Sequence, residues 1–79
     1  MKIYNLTAII WKEGKFFVSR CPELEVASMG KSPEEALKNL KDAVELYLEN
    51  AKILGIMKDL QKTLNAPQKF TANLTVKVS

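Results

Sequence analysis

Ser32-Pro33-Glu34-Glu35-Ala36-Leu37-Lys38-Asn39-Leu40 announces the start of a helix in three independent ways. Ser32 can cap the first turn, and Pro33 suits the first helical position, where its missing N–H would have had no helical partner anyway. Glu35 stands three residues after the cap and completes a capping box. Glu34 and Glu35 also place negative charge at the positive end of the helix dipole. Downstream, Ala36, Leu37, Leu40, Ala43, Val44, Tyr47, Leu48 and Ala51 fall within an arc of about 140° at 3.6 residues per turn. Lys38, Lys41, Asp42, Glu45 and Glu49 occupy the opposite side, and Glu34 with Lys38 makes a favourably oriented pair. The pattern predicts an amphipathic helix of about 18 to 20 residues, one face laid on a sheet and the end set by Gly55.

The sheet is readable upstream. Residues 2 to 12 alternate as a strand, with Tyr4, Leu6, Ala8 and Ile10 in one phase and Ile3, Asn5, Thr7, Ile9 and Trp11 in the other. Glu13-Gly14 reads as a tight turn, and Lys15 to Cys21 returns as a second strand rich in β-formers. A two-residue loop there sets Lys12 against Lys15, Trp11 against Phe16, Ile10 against Phe17 and Ile9 against Val18. One face then carries Tyr4, Leu6, Ala8, Ile10 and Phe17; the other carries Ile9, Trp11, Phe16 and Val18. A different loop length would exchange the faces of the second strand, leaving Ile9 and Trp11 opposed to Tyr4, Leu6 and Ile10. Pro22-Glu23 ends the second strand, and a short third strand over about Val26 to Met29 stops at Gly30.

Beyond Gly55, Ile56, Met57, Leu60 and Leu64 recur at helical spacing and predict a second, shorter helix before Asn65-Ala66-Pro67. Ala72, Leu74, Val76 and Val78 then alternate with Thr71, Asn73, Thr75 and Lys77, the pattern of a strand with one buried face. The expected order is β-β-β-α-(α)-β, an α+β arrangement.

Composition narrows the function classes. At 79 residues there is room for one domain, 1–79, whose small core makes self-association an economical route to stability. The single cysteine allows no internal disulfide and suits a reducing cytoplasm. The absence of histidine removes the commonest general base and the commonest transition-metal ligand. Net charge is +3, but 12 basic residues are scattered among nine acidic ones, which favours a solvated surface over a nucleic-acid footprint. No apolar run reaches the ~20 residues that span a bilayer, and the amino terminus alternates as a strand, unlike a signal peptide.

Few residue groupings offer chemistry. Cys21 has no histidine to activate it, and neighbouring Arg20 alone would lower its pKa only modestly, so it reads as a core-edge thiol. Gly30-Lys31-Ser32 lacks the preceding glycines of a phosphate loop and reads as a strand-to-helix turn. Lys12 and Lys15 flank the hairpin tip and, with Arg20, would form a small basic edge whose ordinary use is to discourage edge-to-edge aggregation. Leu46 lies off the apolar arc of the helix and reads as an exposed leucine. Ile9, Trp11, Phe16 and Val18 stand out, because one helix covers only one sheet face. They are the expected self-association or partner interface unless Ile56 to Leu64 folds back over them. No catalytic, metal or cofactor residue is expected.

Cys21-Pro22-Glu23-Leu24, followed by Gly30-Lys31-Ser32-Pro33-Glu34-Glu35-Ala36 and a helix with Asn39 four residues after Glu35, resembles the HicB-like antitoxin family. That pattern is a P-[DE]-L turn, a short strand, G-x-[ST]-x-E-E-A and a helix; the hairpin from Tyr4 to Val18 matches the family's opening, and the likeness covers about residues 2 to 50. Glu25 departs from it, since many members carry glycine after the leucine. The resemblance implies a partial RNase H-like fold: an antiparallel meander, one long helix on one face, and the last strand beside the first. It implies a non-enzymatic protein that occludes a small HicA-type ribonuclease. Many members also carry a DNA-binding domain, and a chain ending at Ser79 is expected to lack one. Carboxylates of a true RNase H nuclease are not in the expected strands: Glu13 is in the turn, and Glu34 and Glu35 serve the cap. The expectation is therefore a cytoplasmic antitoxin forming a homodimer or larger assembly. An orphan oligomeric domain of this family and a small RNA-binding module are the alternatives.

Overall fold

The computed structural model describes residues 3–64, 72 and 74–78. Strands β1 (Ile9–Glu13), β2 (Phe16–Cys21) and β3 (Val26–Gly30) form an antiparallel sheet in the order β1-β2-β3. Helix α1 (Pro33–Leu54) and the shorter α2 (Met57–Leu64) follow, so the fold is α+β.

Local chemistry sets each boundary. Ser32 is extended, at φ −142° and ψ 162°, and its Oγ accepts the Glu35 N–H at 3.1 Å. The Glu35 carboxylate in return accepts the Lys31 N–H at 3.0 Å, one residue ahead of the usual capping-box partner. At the other end Gly55 takes φ 75°, its N–H reaching the Lys52 carbonyl at 3.2 Å while the Ile56 N–H reaches that of Ala51 at 3.0 Å. These two bonds make a Schellman closure, and only glycine adopts that backbone without a Cβ penalty. The helix is 22 residues long, slightly more than its pattern suggests.

Helix and sheet meet unusually closely at Gly30. A Cβ there would lie 2.6 Å from the Ala36 backbone nitrogen, so the side-chain-free residue is what lets α1 settle on β3. Two further bonds fasten the layer: the buried Ser19 hydroxyl donates to the Ala36 carbonyl at 2.8 Å, and Asn39 Nδ2 donates to the Met29 carbonyl at 2.7 Å. The core is Cys21, Leu24, Leu40 and Leu64, with Tyr4, Leu6, Val44, Tyr47, Leu48, Met57 and Leu60 packed around it.

Three expectations need correction. The hairpin loop is Gly14-Lys15, so Glu13 pairs with Phe16, Lys12 with Phe17, Trp11 with Val18 and Ile9 with Arg20. Gly14 takes the positive angle, at φ 62°, but as the first loop residue, the pattern of a type II′ turn. The slip is two residues, so every side chain keeps its face.

The first strand also starts late. Residues 3–8 carry no strand. Pro22 follows β2 two residues past the one opposite Ile9, so the chain upstream of Ala8 has no β2 backbone to pair with. Glu23 holds that segment instead, its carboxylate accepting the Thr7 N–H at 2.9 Å and the Thr7 hydroxyl at 2.8 Å.

Among the described residues, the expected last strand does not join the sheet. Thr71 and Asn73 lie outside the described residues, while 72 and 74–78 carry no strand and leave Leu74, Val76 and Val78 exposed. Alternation gives a segment strand propensity, but a strand forms only where an edge receives it.

Candidate interaction surface

Register assigns the two faces of the sheet. Residues directly opposite one another share a face, so Ile10, Phe17, Ser19, Cys21, Val26 and Gly30 lie together under α1. On the reverse side the rows are Glu13 with Phe16, then Trp11 with Val18 and Met29, then Ile9 with Arg20 and Ala27. Ile9, Trp11, Phe16 and Val18 therefore do stand together, as their phase predicts.

Among the described residues no element covers this reverse face. Trp11 is 42% exposed, Ile9 and Phe16 each 43%, and Met29 51%, while Val18 is half-buried between Trp11 and Met29. The alternative cover, residues 56–64, is elsewhere: Met57, Leu60 and Leu64 of α2 pack into the core with Cys21, Leu24 and Leu40. Sequence reasoning missed Met29. The alternation of Val26 and Ser28 with Ala27 and Met29 carried that signal, but only the β2–β3 register fixes which set faces out.

A second apolar feature lies on the helix side. The segment 3–8 and α1 border an open groove of about 540 Å³, lined by Ile3, Leu6, Leu37, Val44 and Leu48, with Lys41 and Glu45 on its rim. It explains why Leu37 remains 48% exposed despite its place on the apolar arc. Periodicity could not reveal it, because it depends on where residues 3–8 run.

The basic edge is not assembled. Lys15 is in the hairpin turn, whereas Arg20 is near the far end of β2, where its guanidinium lies 3.7 Å from the Glu25 carboxylate. Lys12 shares a face with Phe17, opposite to that of Arg20. Cys21 is buried, and its thiol points to the Glu23 carboxylate at 3.5 Å. Burial, with a smaller contribution from the Glu23 charge, pushes the thiol pKa above its ordinary value. A thiol so placed is a poor nucleophile. Among the described residues no three His, Cys, Asp or Glu side chains are grouped to hold a metal, and no helix is long and apolar enough to cross a membrane.

No protein-family model and no solved structure matches the chain. The chain is similar to a UPF0150 protein of Helicobacter pylori, with 46% identity over 44 residues. The match takes in 54% of this chain and 61% of that relative, so the likeness spans about three fifths of the relative's length.

Proposed function

We propose that this protein is a non-enzymatic, HicB-like antitoxin that binds a small HicA-type ribonuclease in the cytoplasm and occludes its active site. The observation that carries the reading is the way the family-like motif residues act together in the fold. Glu23 of the P-E-L turn tethers Thr7, Gly30 admits α1, Ser32 and Glu35 cap it, and Asn39 holds the β3 backbone. Each conspicuous motif position thus has scaffold work rather than chemistry to do. Such a scaffold acts by presenting surface. The UPF0150 likeness supports the same reading, because the HicB-like family falls under that designation.

Occlusion needs a rigid surface with apolar area to bury, and the described residues offer two: the reverse sheet face and the groove beside α1. The test is a tagged pull-down from the native host with mass spectrometry of the eluate. A small basic ribonuclease in stoichiometric amount is the expected result. Recovery of this chain by itself overturns the antitoxin reading in favour of an orphan oligomeric domain, and salt-sensitive recovery of RNA would favour the RNA-binding alternative.

A further inference from the structure

The reverse sheet face has an internal charge order that selects its occupant. Its three rows run from Glu13 at the hairpin end, through an uncharged middle of Trp11, Val18 and Met29, to Arg20 at the opposite end. We propose that this face packs against the same face of a second copy of the chain, about a two-fold axis that lies between the sheets and crosses the strands.

Geometry singles out that axis. Face-to-face sheets pack about 10 Å apart with strands within about 30° of alignment. A two-fold axis running along the strands keeps each row against itself and sets Arg20 against the partner's Arg20. An axis across the strands exchanges the end rows. Trp11 and Val18 then meet their own copies, while Arg20 comes over the partner's Phe16 with the partner's Glu13 beside it. This gives a cation a ring face and a carboxylate at both ends of the contact, by symmetry. Arg20 has the freedom to reach, since its ion pair with Glu25 is long at 3.7 Å and exposed on both sides. No other described element competes for the position, because α1 and α2 pack on the opposite side of the sheet.

The contact is small. Strands of five or six residues, three abreast, cover roughly 17 by 14 Å. A footprint of about 240 Å² on each copy is far below the roughly 800 Å² per partner of a stable complex, so the dimer is weak, concentration-dependent and weakened further by salt. The inference does not rest on the antitoxin reading: a protein that binds no ribonuclease would still pair this way.

Sedimentation of the full chain across a concentration series tests it, with far-UV circular dichroism as the check on folding. The wild type should move from monomer to dimer. Arg20→Glu should raise the dimer dissociation constant by at least about tenfold, as should Glu13→Arg, because each sets like charges together. The double variant Glu13→Arg with Arg20→Glu restores opposite charges at both ends and should dimerise at least about threefold more tightly than either single variant, short of wild type because no cation then lies over Phe16. Trp11→Ala with Phe16→Ala should abolish the dimer while leaving the helical signal in place. A wild type that stays monomeric overturns the proposal. So does a dimer indifferent to the single charge reversals, or a double variant that fails to recover. Should Arg20→Glu lose its fold, Glu13→Arg, which lies beside the exposed turn, decides the same question.

Discussion

The Ser19 hydroxyl donates a 2.8 Å hydrogen bond to the Ala36 carbonyl, joining the centre of β2 to the first turns of α1 in a fully buried position. The bond ends on the same residue, Ala36, whose backbone Gly30 admits against the sheet. The two features make one joint. Its energetics can be taken apart by mutation.

Ser19→Ala should lower stability by about 1 kcal/mol, the net worth of one buried neutral hydrogen bond, since the Ala36 carbonyl keeps its place in the helix. Gly30→Ala should cost more, about 2 to 3 kcal/mol, because the new methyl meets helix backbone that cannot rotate away. Urea denaturation reads both. A smaller loss for Gly30→Ala than for Ser19→Ala would mean that the layers separate easily.

The helix ends should be separable from the joint. Ser32→Ala removes the acceptor for the Glu35 N–H and should cost about 1 kcal/mol. Gly55→Ala forces a Cβ into φ 75° and should cost about the same. The sites are remote from one another, so in thermal melts the double variant should show the sum.

The helix cap was legible in the sequence, but the Ser19–Gly30 joint and much of the surface were not. Ser32, Pro33 and Glu35 signal the cap through short-range chemistry, and short-range chemistry is written locally. The face shared by Ile9, Trp11, Phe16 and Val18 survives a wrong turn position because side-chain direction has a period of two and the register moved by two. The late start of β1 depended on where its partner strand stops. Alternation could not tell that residues 72 and 74–78 stay out of the sheet, although β1 and β3 both leave it an edge. The groove beside α1 needed the path of residues 3–8, which Glu23 fixes from sixteen residues away. Long-range choices of this kind leave little trace in periodicity.

Glu23 should therefore matter more to the amino-terminal segment than to the sheet. Glu23→Ala deletes the acceptor for both the N–H and the hydroxyl of Thr7. Hydrogen exchange should accelerate at Thr7 by at least about tenfold while Val18 and Leu40 keep their protection, as expected of a local opening. Equal acceleration at all three sites would show instead that the tether supports the whole fold.

Cys21 predicts a pH dependence of definite sign. Burial raises its pKa in the folded state above the ordinary thiol value of 9.0, so the folded protein holds the proton more tightly than the unfolded chain. That contribution is complete below pH 9 and is lost as pH rises above it. Urea stability should fall between neutral pH and pH 10 more steeply in the wild type than in Cys21→Ala. At pH 8 the native thiol should react with iodoacetamide far more slowly than the thiol of the unfolded chain. Cys21→Ser should leave partner binding intact; a loss of binding with the fold preserved would give the thiol a functional role.

The central claim is neutralisation of a ribonuclease by stoichiometric binding, and the most direct measurement is a titration. The full chain is added to a purified small HicA-type ribonuclease from the same host, and cleavage of a single-stranded RNA is followed. The account predicts that cleavage falls in proportion to added protein and ends at a fixed molar ratio. Cleavage that continues unchanged at a molar excess would contradict it.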